Sequence, residues 1–398
     1  MLVGGKTKMA QGRYREVDVN GWPAVASAIV LGTVGVLSFI IQPGIVQAFV
    51  AQLGLSEAQA VNLVGLEMLG VAVATVALAA WGGRWHWRYV VACGLGLAVL
   101  GNVGSALALH GPGFTAARLL AGLGEGTIIS ISFTFVGITA RPERNLALYL
   151  ALLLTYGAFG LWSLPAFLAR FGLAALFWGF AGISAAAAVT IRFVPHDFDA
   201  SEMPNPQARQ LPLGLLVVAL AGALAYNLAQ GVAWATLALV GAGAGLGDQQ
   251  VADSLFLSQL LAIAGALSSV FLAARLGRDG AIAFGILAGA ASIALLLGHP
   301  SALLFTLAVC GFNMLWNFVL PFILARLGDF DLSGRMMAFA IAMQMIGLGG
   351  GPLIAAPLLD GHGYRPVELL CIALFLASYL LLLVPMRAHR RMLRLAVS

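Results

Sequence analysis

Charge is what this sequence has least of. Its 398 residues carry 21 basic and 16 acidic side chains, 9% of the chain, against about a quarter in ordinary soluble domains. So few polar groups cannot cover a water-facing surface of this size, which excludes a soluble enzyme or a soluble binding module. Cysteine is scarce too. Cys93, Cys310 and Cys371 all fall in apolar runs, which excludes a disulfide framework and a zinc-spaced set and leaves them as small buried hydrophobes. The six histidines, His86, His110, His196, His299, His362 and His389, fall in loops or the C-terminal tail, so no metal site or catalytic cluster forms at membrane depth. That argues against a lipid-modifying enzyme, and no metal or cofactor is expected. No G-x-x-x-x-G-K-[ST] loop is present, so an ATP-driven pump is disfavoured as well.

What the chain has is apolar length. Hydrophobic residues make up 61% of it, and the mean hydropathy is +0.96. Lipid solvates such side chains directly, and each long run approaches the roughly 20 residues that cross about 30 Å of hydrocarbon. The 49 glycines then read as seams where helices approach closely. Helices are predicted at 22–50, 57–80, 89–109, 114–138, 146–169 and 172–194, and again at 212–240, 249–273, 280–298, 301–325, 335–358 and 366–386. The runs are continuous and too long for a membrane β-barrel. The expected class is an all-α membrane protein with twelve transmembrane helices in two pseudo-symmetric six-helix bundles, 22–194 and 212–386. A polar tail (1–21), a linker (195–211) and a basic tail (387–398) complete it. The first apolar run is too long for a cleaved leader and reads as a retained helix.

The net charge of +5 is a topology signal, not a nucleic-acid footprint. With the N-terminus in the cytoplasm, 18 of the 21 Lys and Arg residues fall on the cytoplasmic side, Arg170 and Arg365 fall outside, and Arg118 is within the membrane. This places both termini in the cytoplasm and the chain in a cytoplasmic membrane. The basic tails then meet anionic headgroups or simply stay solvated. A shift of 192 residues lays Ser56 on Asp248, both suitable helix caps, and lays Glu67 on Gln259 and Glu125 on Asn317. Polar residues are rare at membrane depth, so these coincidences favour an internal repeat.

Arg118, Gly122 and Glu125 are spaced i, i+4, i+7 and share one helical face. The outer two are about 10.5 Å apart along the axis. With Gly122 leaving room between them, Arg118 is expected to reach Glu125. That pair is either structural or functional, since intramembrane charges are costly and tend to mark function. Glu67 lies near the midplane with no obvious basic neighbour in sequence. It reads either as a proton carrier or as a neutral acid bonded to a carbonyl.

The stretch Arg118-Leu-Leu-Ala-Gly122-Leu-Gly124-Glu125-Gly126 resembles the R-x-x-x-G-x-G-x-G pattern on the fourth helix of the major facilitator superfamily. Helix count, central loop and charge topology extend that resemblance over the whole chain. A second family signature is a loop of Asp-Arg-x-Gly-Arg type between helices two and three, with a copy between eight and nine. Here Arg84 and Arg88, and then Arg275 and Arg278, keep the arginine spacing, but both copies lack the acid. The helix-five Gly-Pro motif of drug/proton antiporters is missing, with Gly349-Gly350-Gly351-Pro352 on helix eleven instead. The resemblance implies a monomeric secondary transporter that exposes a central cavity to each side in turn, often coupled to protons, with helices one, four, seven and ten lining the cavity. On those helices Gln42, Gln47, Tyr226, Asn227, Gln230, Trp234, Asn313, Trp316 and Asn317 become candidate substrate residues beside Arg118 and Glu125. Taken singly, each of these residues is more often helix-packing glue. Glu67 and Glu125 become candidate proton sites, and Gly122, Gly124 and Gly126 structural glycines. Arg118 points to an organic anion, and the rings to an aromatic solute. A multidrug or metabolite efflux antiporter of the same fold is the alternative.

Overall fold

Only segments that satisfy their own backbone can cross lipid, and this chain does so with helices. The computed structural model describes residues 17–81, 85–195, 208–332, 335–359, 361 and 363–395. Among them the helices are α1 (Trp22–Val34), α2 (Leu37–Ile40), α3 (Gln42–Leu53), α4 (Glu57–Trp81), α5 (Trp87–Leu107), α6 (Gly111–Gly137) and α7 (Pro142–Ala187), the last continued by a 3-10 turn at Ala188–Phe193. After the undescribed 196–207 come α8 (Leu213–Gly243), α9 (Asp248–Ala294), α10 (Ala302–Gly328), α11 (Arg335–Leu359) and α12 (Arg365–Leu395). No strand occurs among the described residues. Nine of these stretches are long and apolar enough to cross a bilayer, which marks a multi-pass membrane protein. Exposed large side chains such as Phe271 and Leu303 would be costly in water and are natural against lipid.

The expected boundaries need three corrections. The first helix is not one run. Gly35 caps α1, Val36 (φ −131°, ψ 15°) turns out of the helix, Ile41 is again non-helical, and Pro43 lies in the first turn of α3. The helices expected at 146–169 and 172–194 are the two arms of α7, and those expected at 249–273 and 280–298 are the two arms of α9. A helix of 46 or 47 residues would run about 70 Å, over twice the hydrocarbon thickness, so each must fold back. They do so at one residue each, Gly172 (φ 74°) and Gly277 (φ 65°), where a side chain would be strained. The C-terminal tail is not separate, because α12 runs on through it to Leu395 and buries His389 against Phe330. Finally, Ser56 and Gln59 do form a reciprocal cap, at 3.0 and 3.1 Å, but the cap of α9 is Gly247 and not Asp248.

Hydrogen bonds identify one end of the bundle. There Gln47 donates to Asp248 (2.7 Å), Tyr364 to Glu57 (2.6 Å), and the amide of Leu173 to Gln52 (3.0 Å). Phe49 packs edge-to-face with Phe114, and Ser254 bonds Thr306. Leu53, Gly111, Gly172, Gly243, Asp248 and Ala302 are therefore all near this end, called the far end below. Packing across the 196–207 stretch runs through α4 on α11, α7 on α9, and α3 on α8.

Candidate functional site

The break in the first helix frees backbone carbonyls at membrane depth, where each needs a donor. Two side chains supply them. The Tyr156 hydroxyl donates to the Leu37 carbonyl at 2.8 Å, and the Trp234 indole to the Phe39 carbonyl at 2.8 Å. The same short segment presents Ser38 to Arg118, whose Nη2 donates to the Ser38 hydroxyl at 2.8 Å.

Arg118 is fully buried, and every one of its five N–H donors is engaged. Nε donates to Glu67 Oε2 (3.0 Å), Nη1 to Asn102 (3.0 Å) and Ser105 (3.3 Å), and Nη2 to Ser38 and to Glu67 Oε1. The Phe177 ring covers the guanidinium at 4.7 Å. This bidentate pair corrects two expectations. Arg118 is held by Glu67 on α4 and not by Glu125 on its own helix, and Glu67 is not a lone carboxylate. The reason is backbone proximity. Gly122 sits directly against the Glu67 carbonyl, Gly126 against the Val71 backbone, and Gly124 against the Ala98 amide of α5. The three glycines thus bring α6 onto α4 and α5, and the ion pair forms across the first of these contacts. A methyl group at 122 would overlap the Glu67 carbonyl, and backbone on both sides cannot yield cheaply. Gly122→Ala is expected to destabilise the protein by about 3 kcal/mol. Its melting curve in detergent checks this, and an unchanged midpoint would refute the close packing.

Glu125 is left as the unpaired carboxyl. It is buried, and its Oε2 has no hydrogen-bond partner. It lies two turns beyond Arg118 on α6, beside the ion pair without joining it.

After residue 207 a comparable contact occurs in neutral form. Gln259, which the 192-residue shift lays on Glu67, accepts from Asn313 at 3.1 Å, and Asn313 also reaches Ser258. An amide pair across α9 and α10 thus stands where an ion pair stands across α4 and α6, and Gly265 lies against the Met314 backbone as Gly122 lies against Glu67. Asn317, laid on Glu125, bonds back to Asn313. Trp316 packs on Phe39 (6.2 Å), Trp234 (6.1 Å) and Phe312 (5.8 Å), tying α2, α8 and α10 into one aromatic layer. Asn227, Gln230 and Trp234 share a face of α8. The Asn227 amide nitrogen donates to Ala223, while its carbonyl oxygen and that of Gln230 are buried without partners. Tyr226 faces α12 instead, edge-on to Phe375. Gln42 is buried at the start of α3, and Gln47 belongs to the far end and not to this layer.

Depth places these groups together. Measured from the far end, Gly111 to Glu125 is 14 residues, Phe39 to Leu53 is 14, Gln230 to Gly243 is 13, Ala302 to Trp316 is 14 and Tyr156 to Gly172 is 16. At 1.5 Å per residue all lie about 20–24 Å in, within one layer.

No family model and no curated protein sequence matches the chain. Solved structures do. The nucleoside transporter NupG, in a point-mutant form, superposes with TM-score 0.72 at 12% identity over 91% of this chain and 99% of that one. The human organic anion transporter MFSD10 (TETRAN) does so with TM-score 0.65 at 17% identity over 90% and 99%. The fold is that of the major facilitator superfamily.

The loop arginines take distinct places in this major facilitator fold. Arg84 lies outside the described residues. Arg88 donates to the carbonyls of Val194 (2.7 Å) and Arg192 (3.2 Å), closing the end of the 3-10 turn. Arg275 is exposed. Arg278 meets Asp329 at the end of α10 (2.5 Å), Arg326 bonds Asp279 and Asp329, and Arg390 reaches Asp279 (3.0 Å). The acid missing ahead of Arg275 in the loop signature is thus supplied beside Arg278 by Asp279 and Asp329. Sequence reasoning missed both, although Asp279 directly follows Arg278.

Proposed function

We propose that this chain is a proton-coupled secondary transporter of a small organic solute, working by alternating access in a cytoplasmic membrane. Counting α1–α3 as one span and dividing α7 and α9 at Gly172 and Gly277 gives twelve spans. These form two six-helix bundles, with both termini cytoplasmic. The observation that carries the reading is the buried polar cluster itself: Glu125, with an unpartnered buried carboxyl oxygen, on the same helix as the donor-saturated Arg118 of the Arg118–Glu67 pair. Intramembrane carboxyls without a fixed cation are costly unless they take up a proton or a ligand. The far-end bonds Gln47–Asp248 and Tyr364–Glu57 support a state closed at that end, and they must break for the cavity to open there. A nucleoside and an organic anion are what the superposed relatives carry, and both are small organic solutes. Arg118 has no donor left for an anion in this state, so its role here is to position Glu67 and the broken helix.

The test is uptake into proteoliposomes under an imposed pH gradient, with a solute library. Accumulation that collapses with a protonophore supports proton coupling, and gradient-independent equilibration only would remove it. Orientation has its own check. A cysteine replacing Gly247 should react with an impermeant thiol reagent on intact cells and one replacing Ser201 should not, because the basic loops then lie inside. The reverse pattern would invert the topology.

A further inference from the structure

An open cavity of about 160 Å³ lies at the far end. Its walls come from α3, from the arm of α7 that precedes Gly172, and from the first turns of α9. Asp248, the first residue of α9, marks the mouth, and Leu255 lies about 10 Å below it. The deeper walls are apolar, with Leu161 and Leu164 on α7 and Val251 and Leu255 on α9, all buried. The lining holds three polar side chains, Gln47, Gln52 and Asp248, of which only Asp248 is charged. Asp248 is exposed, accepts from Gln47 through one oxygen at 2.7 Å, and meets no cation among the described residues. Gln52 is spanned between the Leu173 amide (3.0 Å) and the Leu168 carbonyl (3.3 Å). What stays open is mostly acceptor: the second Asp248 oxygen, the Gln47 carbonyl oxygen, and the Leu161 backbone carbonyl, to which Pro165 offers no N–H. The remaining side-chain donors are one N–H on each glutamine. The free amides at the start of α9 point along its axis, out of the far end and away from the deeper walls.

We propose that this cavity is a second binding site, apart from Arg118, Glu67 and Glu125, and that it takes a small primary ammonium on a compact apolar body, an arylethylamine in size and shape. An apolar cavity of about 150 Å³ holds one benzene-sized ring. The ring seats against Leu161 and Leu255, and the ammonium, with three N–H donors, bonds Asp248 and the Gln47 carbonyl at the mouth. A carboxylate in the same place would face Asp248 with only neutral amide donors to hold it. The effect of occupancy rests on the alternating-access reading above. Opening the far end breaks the Gln47–Asp248 bond and parts α9 from α3 and α7, so the occupant binds the closed state and holds it closed.

Binding of tritiated 2-phenylethylamine to the purified protein in phosphatidylcholine nanodiscs tests the site. Its anionic counterpart, 3-phenylpropionate, and its neutral one, 2-phenylethanol, are expected to compete at least about tenfold more weakly. Asp248→Asn, which keeps an acceptor for Gln47, and Ala51→Phe, which fills the cavity from an exposed position, should each weaken the amine about tenfold while melting like the wild type. Glu125→Gln should leave its affinity unchanged. No binding at about 1 mM, an affinity unmoved in Asp248→Asn, or a loss of about tenfold in Glu125→Gln would each overturn the site. Exchanging phosphatidylcholine for phosphatidylethanolamine should not alter the affinity, and displacement of the amine would give the cavity to a lipid headgroup and overturn the free amine as its occupant. Spin labels on His110→Cys and His299→Cys, in a Cys93→Ser background, report the span of the far end. Saturating amine should leave that distance equal or shorter, and a longer one would overturn the closure. Failed amine binding would sink this site and leave the transporter reading intact, whereas amine binding without accumulation of any solute in proteoliposomes would do the converse.

Discussion

Arg118→Ala is expected to be the most destabilising single substitution in this protein, lowering stability by about 3–5 kcal/mol. The side chain is not merely large and buried. It closes the charge of Glu67 through two bonds, and it ties together Asn102 and Ser105 on α5 and Ser38 on α2. Removing it leaves a carboxylate at membrane depth without a cation, three polar side chains without their donor, and a void under Phe177. Much of that cost belongs to the stranded charge and not to the lost contacts. Glu67→Gln added to Arg118→Ala should therefore recover a large part of the loss, whereas Glu125→Gln added to it should recover little, since Glu125 is not Arg118's partner. Thermal and denaturant melting of the single and double variants measures this. If Arg118→Ala melted with the wild type, or if Glu125→Gln were the better suppressor, the pairing described here would be wrong.

That second outcome is the one the sequence points to, and the reason it misleads is instructive. Spacing along a helix shows which residues share a face, so Arg118 and Glu125 were legible as neighbours. It does not show which helix lies against that face. Gly122 is the hint in the sequence, because a glycine in the middle of a charged face removes the one side chain that would hold another backbone away. The helical class and most spans were legible because lipid imposes length and hydropathy on every span. The 192-residue shift lays Gln259 on Glu67, and Gln259 is also bonded across to the next helix, by Asn313. The break at Gly35–Ile41 was not legible. Its residues are as apolar as the helices on either side, and what stabilises it, Tyr156 and Trp234, lies more than a hundred residues away. The turns of α7 and α9 were legible, as gaps between apolar runs at 170–171 and 274–279, although each is made by a single glycine, Gly172 and Gly277.

Glu125→Gln is expected to abolish pH-gradient-driven accumulation while leaving exchange of substrate across the membrane running. A gradient of one pH unit is worth about 1.4 kcal/mol per proton, which a transporter coupled to one proton converts into about tenfold accumulation. The conversion needs a group whose charge changes during the cycle. Glu67 is a poor carrier, because its two oxygens are held by Arg118 and a proton on either would strand the guanidinium. Glu125 has an oxygen with no partner at all, so a proton there breaks no bond and removes a buried charge. Glutamine keeps its shape and a carbonyl acceptor but holds one protonation state throughout. Accumulation should therefore fall from about tenfold to the level of simple equilibration. Counterflow of labelled against unlabelled substrate at saturating concentration, which needs no net proton movement, should persist. Glu67→Gln should behave differently, failing in both assays because the Arg118 site collapses. Gradient-driven accumulation surviving in Glu125→Gln would remove Glu125 as the proton carrier. Counterflow lost along with accumulation would show instead that the carboxylate is needed to hold the solute at all.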